Sequence, residues 1–145
     1  MSKVTTARLI RWAGLFAILA GTLYIVIQFV HPLEQVASVN TASWVVVACL
    51  TVVMSLCSLI GITGLYARQV RETGLLGLAG LLLGIATFRA GVLPRLGAAL
   101  LAFGAAVTLA GGIIPHPLDR ILAVPMGLAF IWLGYALWST SLSRK

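Results

Sequence analysis

The chain has 145 residues, of which 61% are hydrophobic and only 9% charged, with a mean hydropathy of +1.09 and a formal net charge of +7. A water-facing domain carries about 25% charged residues. The composition therefore argues against an ordinary soluble surface and for one all-α, polytopic transmembrane helix bundle over residues 1–145. The ten Lys and Arg residues stand at the ends of apolar runs and form no aromatic-interleaved basic face, so the expected partner is the lipid bilayer and no nucleic acid is expected.

In chain order, Lys3, Arg8 and Arg11 precede a first uncharged run, Trp12 to Val30, long enough to span as a helix. Positive charge before an apolar run also marks a secretory leader, but the leader core is only about 7–15 residues long. Val36-Ala37-Ser38 is a poor cleavage site, and a retained transmembrane helix is expected. The run ends in His31-Pro32-Leu33-Glu34. A second uncharged run, Trp44 to Ala67, is longer still. Cys49 and Cys57 lie about 12 Å apart along it at 1.5 Å per residue. A disulfide needs Cα atoms within about 7 Å, so both cysteines are expected as packing residues. Thr51, Ser55 and Ser58 share one face of this helix. With Thr63, and with Thr22, Tyr24 and Gln28 of the first run, they form the main intramembrane polar set, expected to bond its own backbone or a neighbouring helix.

The next apolar run, Gly74 to Phe88, is shorter and would reach only about 22 Å, against a bilayer core of roughly 30 Å. Leu96 to Ile114 and Ile121 to Trp138, again without a charge, complete four clear spans. Pro125 removes a backbone donor from the last and is expected to kink it.

His116-Pro117-Leu118-Asp119 repeats the phrase at residue 31. The two copies use both histidines, two of five prolines and two of three acidic residues, which points to an internal duplication with units of about 11–67 and 95–138 joined by 68–94. Parallel repeats require an even number of crossings between their starts. The charges agree. If 72–95 begins and ends on one side, Lys3, Arg8, Arg11, Arg68, Arg71, Arg89, Arg95, Arg144 and Lys145 share that side and Arg120 alone faces the other. A five-span arrangement would split the ten charges six to four. The positive-inside rule then makes both termini cytoplasmic in an inner (plasma) membrane. Trp12, Tyr66 and Trp138 fall at the inner boundary and Trp44 at the outer one.

Lipid gives no hydrophobic drive for helix association, so close contact depends on small residues. Gly77, Gly80 and Gly84, then Gly97 with Leu101 and Gly104, then Gly104 with Thr108, keep helical spacing, as do Ala106 with Ala110. Gly127, Gly134 and Ala136 are expected to do the same in the last span.

The order Gln28-Phe29-Val30-His31-Pro32, Gly61-Ile62-Thr63-Gly64-Leu65-Tyr66-Ala67-Arg68-Gln69, Gly74-Leu75-Leu76-Gly77-Leu78-Ala79-Gly80 and Gly84-Ile85-Ala86-Thr87-Phe88-Arg89-Ala90-Gly91-Val92-Leu93-Pro94-Arg95 resembles uncharacterised multi-pass membrane proteins common in actinobacteria and related soil bacteria. The resemblance covers most of the chain and implies architecture, with no activity attached. In such proteins the two glycine-rich stretches look like the start of one helix and the end of the next. Here they are nearly fused, which implies that most of a helical hairpin is missing between about 79 and 83. The short segment is then either re-entrant or a truncated hairpin, and a full-length relative would have six spans.

For function, the expected class is a binding or accessory subunit that packs in a larger membrane complex, or as a homo-oligomer, or holds a lipid-like ligand. The paired corners offer an alternative, since His31, Glu34, His116 and Asp119 could ligate a metal or haem, with a carboxylate orienting an imidazole. His before Pro also occurs wherever a helix ends at an interface, and structural corners without a cofactor are the simpler expectation. A membrane-embedded enzyme would have only these four residues and Arg120 to work with, and no nucleophile set, phosphate loop or zinc motif is visible. A small oligomeric transporter is the remaining alternative, weakened because no acid or Lys lies within the four clear spans.

Overall fold

The computed structural model describes residues 6–32, 41–73, 80–110 and 118–140, which form five helices and, among the described residues, no strand. These are α1 (Thr6–Val30), α2 (Ala42–Thr73), α3 (Gly80–Ala90), α4 (Arg95–Ala110) and α5 (Leu118–Thr140). Their ends follow from local chemistry. His31 precedes Pro32 and is biased out of the helical region, so α1 stops at Val30, with the His31 amide donating to the Ile27 carbonyl at 2.9 Å. Thr41 caps α2, its hydroxyl accepting from the Trp44 amide at 3.4 Å and its carbonyl from the same amide at 3.1 Å. α3 closes on Gly91, which takes φ +64, the left-handed conformation that glycine enters without a Cβ penalty. Pro94 then opens α4, its carbonyl accepting from Ala98.

Three helices contain segments long and apolar enough to cross a membrane: Arg8–Val30, Ala42–Gln69 and Arg120–Ser139. The described residues are thus all-helical apart from their connecting turns, with helices of the length and apolarity that suit a membrane protein. α4 is apolar but shorter over its described part, and the end of the expected span to Ile114 lies outside the described residues. α3, with 11 residues, is about 16 Å long, too short to span. The hairpin expected to be missing between 79 and 83 straddles the undescribed residues 74–79 and the start of α3.

α5 is the central element. Ala129, Phe130, Leu133, Ala136 and Leu137 put half of the main core on this one helix, and Ala17 of α1, Leu65 of α2, Leu83 of α3, Leu93 of the α3–α4 turn and Leu101 of α4 complete the cluster. α1 packs chiefly on α5 and α2, α4 on α5 and α3, and a lighter contact between α2 and α3 closes the circuit.

The close approaches are glycine contacts, and they set the registers of α1 with α2 and α5, and of α4 with α3 and α5. A Cβ built on Gly14 would lie 2.6 Å from the Gly134 carbonyl oxygen, and one on Gly134 would lie 2.5 Å from that of Gly14. Gly21 and Gly127 repeat this reciprocal arrangement one heptad further along each helix. Each carbonyl thus faces the opposite helix's glycine, geometry that favours weak Cα–H···O contacts. Gly61 and Gly64 of α2 lie on Ala17 and Ala13, Gly97 and Gly104 of α4 on Leu133 and Met126, and Gly84 of α3 on Ala102. Rising numbers on one helix meet falling numbers on its neighbour, so α1–α2, α1–α5 and α4–α5 are antiparallel pairs.

Candidate functional site

Those registers sort the arginines. Arg11 lies over the Trp138 ring at 5.3 Å, joining the start of α1 to the end of α5. Gly64 on Ala13 brings Arg68 to the same end. Gly97 on Leu133 does so for Arg95, and a bond between Gln69 and Thr87 does so for Arg89. Arg120 stands at the opposite end, against the residues that close α1.

At the Arg120 end, the first His-Pro corner is held by a residue that immediately follows the second. Arg120 Nη1 donates to the His31 carbonyl at 2.9 Å, and Nη2 donates to the Pro32 carbonyl at 3.2 Å. Both are charge-assisted, and a cation at the carboxyl end of α1 also complements the helix dipole. His31 Nδ1 donates to the Pro32 carbonyl at 2.8 Å, which orients the ring with Nε2 on its far side. Its ring meets Trp44 edge to face at 5.4 Å, tying the α1 end to the first turn of α2.

Of the four corner residues singled out as ligands, His31 alone has described surroundings. Glu34 and His116 lie outside the described residues; Asp119 is the second residue of α5, and its side chain lies outside them too. Among the described residues, no three His, Cys, Asp or Glu side chains gather as a metal site.

At the opposite end, Arg8, Arg11, Trp12 and Leu15 of α1 and Trp138 of α5 line a cleft of about 260 Å³. Nearby, Gln69 Nε2 donates to Thr87 Oγ1 at 2.6 Å, and Thr87 Oγ1 donates to the Leu83 carbonyl at 2.6 Å, both in a buried setting. Arg68 Nε is buried without a hydrogen-bond partner among the described residues.

Two of the three hydroxyls of the α2 stripe, those of Thr51 and Ser55, and that of the separate Thr63 bond within the helix. Thr51, Ser55 and Thr63 donate to the carbonyls of Val47, Thr51 and Leu59, and Thr22 of α1 donates to Ile18. Cys49 and Cys57 are free thiols, one exposed and one buried. Of the expected packing glycines, Gly84 and Gly104 make close interhelix contacts. Gly80 begins α3, while Gly77 and the Thr108 side chain lie outside the description. The α1 side of the reciprocal α1–α5 contact lies outside the expected packing set. Gly14 and Gly21 carry the same heptad spacing as Gly127 and Gly134, and that match was the available signal.

The fold thus defines a membrane-type helical bundle with one basic aromatic end and one end closed by Arg120. No family model, curated protein or solved structure matches the chain.

Proposed function

We propose that the chain is a small plasma-membrane protein of the actinobacterial type it resembles, crossing four times with both termini cytoplasmic, and that it works by binding as an accessory subunit of a larger membrane assembly. The observation that carries the accessory role is the open face of α2, where the exposed small residues Ala48 and Ser55 leave room for the close approach a partner helix needs. Only 17% of its apolar span is buried, against 44% for α5, and Val45, Val52, Leu56 and Leu59 are all exposed. The sorting of Arg8, Arg11, Arg68, Arg89 and Arg95 to one end supports the topology, with that end facing the cytoplasm. In this arrangement α3 enters and leaves from the cytoplasmic side. Extraction of tagged protein in lipid nanodiscs tests the role. A reproducible assembly with a stoichiometric protein partner, lost in a Val52→Trp/Leu56→Trp variant that still folds, is the expected result; a lone chain with lipid only contradicts it.

The His31 geometry favours a second use of the corners. The Nδ1 bond to Pro32 is the kind of outer contact that orients an imidazole for metal or haem through Nε2. Metal and haem analysis of the purified protein beside His31→Ala/His116→Ala tests it, and absence of both from wild type ends it.

A further inference from the structure

The cleft at the basic end has a chemistry that neither the helix packing nor the corner contacts use. Arg8, Arg11, Trp12 and Leu15 follow the i, i+3, i+4, i+7 pattern and so form one stripe along α1. Trp138 stands across from them on α5 because Gly14 has no side chain: a Cβ there would meet the Trp138 amide nitrogen at 2.9 Å. The five side chains line an open cleft of about 260 Å³. Arg11 is anchored with its guanidinium carbon 5.3 Å from the Trp138 ring centre. A guanidinium held over an indole face by cation–π attraction still has N–H donors to offer an anion. Arg8 places a second positive charge one helical turn away, at the mouth.

The occupant follows from the order of these groups along the helix. The two cations come first, the indoles lie level with the inner one, and Leu15 lies about 6 Å deeper at 1.5 Å per residue. Leu15 and Trp12 are both substantially exposed, at 38% and 55%. A free anion would use the arginines and leave the apolar floor unsatisfied, whereas an amphiphile uses both. Indole rings at this depth also match the headgroup boundary of a bilayer.

We propose that the cleft is a specific site for an anionic phospholipid of the cytoplasmic leaflet, with the phosphate held by Arg8 and Arg11 and the first acyl carbons running over Leu15 between Trp12 and Trp138. The site rests on the membrane placement proposed above. It differs from the general attraction of a basic surface for anionic lipid, because Arg89 and Arg95, at the same end of the bundle, take no part.

Native mass spectrometry of the full chain, titrated with phosphatidylglycerol, phosphatidylcholine or glycerol phosphate, tests it. Wild type should retain one phosphatidylglycerol at least five-fold better than phosphatidylcholine and should retain no glycerol phosphate. Arg8→Gln/Arg11→Gln should lose that preference. Leu15→Trp, which keeps both charges and fills the floor, should lose it as well. Arg89→Gln/Arg95→Gln should keep it. Equal loss in the Arg89/Arg95 variant, equal retention of the two lipids by wild type, or saturation by glycerol phosphate would each overturn the site. Carbonate washing of the source membranes separates the two proposals: wild type released by the wash refutes the membrane placement, while wild type that stays membrane-bound without lipid preference refutes only the site.

Discussion

Arg120 shows how a single side chain can matter more in the fold than its place in a motif suggests. In the sequence it is the lone charge on the far side of the bundle, a topology marker. In the structure it bonds two backbone carbonyls at the end of α1, 89 and 88 positions away in sequence. Replacing it by Gln removes both charge-assisted bonds and the positive charge at the helix end, at about 1–3 kcal/mol. Unfolding of the purified Arg120→Gln protein in mixed micelles should show that loss; unchanged stability would mean that the contact is idle. Thr87→Val tests the other buried polar link. It keeps the shape but takes away the acceptor for Gln69 Nε2 and should cost about 1–3 kcal/mol, read in the same assay. Neither role was legible in the sequence, because each depends on which distant helix end lies alongside. The local bonds of Thr51, Ser55 and Thr63 were legible, since a hydroxyl on a helix has the carbonyl four residues back within reach.

Between elements, backbone proximity does most of the work. The α1–α5 pair meets through Gly14, Gly21, Gly127 and Gly134, where an added Cβ on Gly14, Gly21 or Gly134 would run first into the opposite backbone carbonyl, and one on Gly127 into the Ile25 side chain and the Gly21 carbonyl. Gly21→Ala should therefore destabilise the bundle by about 1–3 kcal/mol, as overpacking does, and a larger side chain by more. Gly91→Ala isolates a different effect. Space there is open, the nearest atom being Arg95 Nη2 at 3.8 Å, but φ is +64. Its cost should be the left-handed penalty alone, about 1–2 kcal/mol, with Gly91→Asn milder. Thermal unfolding of the series checks both, and equal costs for Gly91→Asn and Gly91→Ala would remove the conformational explanation. Helix existence was well announced by hydropathy, and helix ends less well. α2 runs on to Thr73, well past the apolar run that stops at Ala67, because Arg, Gln and Glu leave the lipid-facing pattern without opposing the helix. Likewise α1 starts at Thr6, ahead of Trp12.

For the molecule as a whole, the described helices form a bundle with two unlike ends. The antiparallel registers place Arg11, Arg68, Arg89 and Arg95 at one of them and Arg120 at the other. Whether those ends face opposite sides of a membrane is the central claim, and cysteine accessibility tests it most directly. With Cys49 and Cys57 replaced by Ala, single Ser2→Cys, Val92→Cys and Leu118→Cys variants would be labelled with a membrane-impermeant maleimide in right-side-out and inverted vesicles. Val92, in the turn between α3 and α4, should label from the same side as Ser2, and Leu118, at the start of α5, from the opposite side. Labelling of Val92→Cys from the Leu118 side would make the number of crossings before α4 odd and contradict the account.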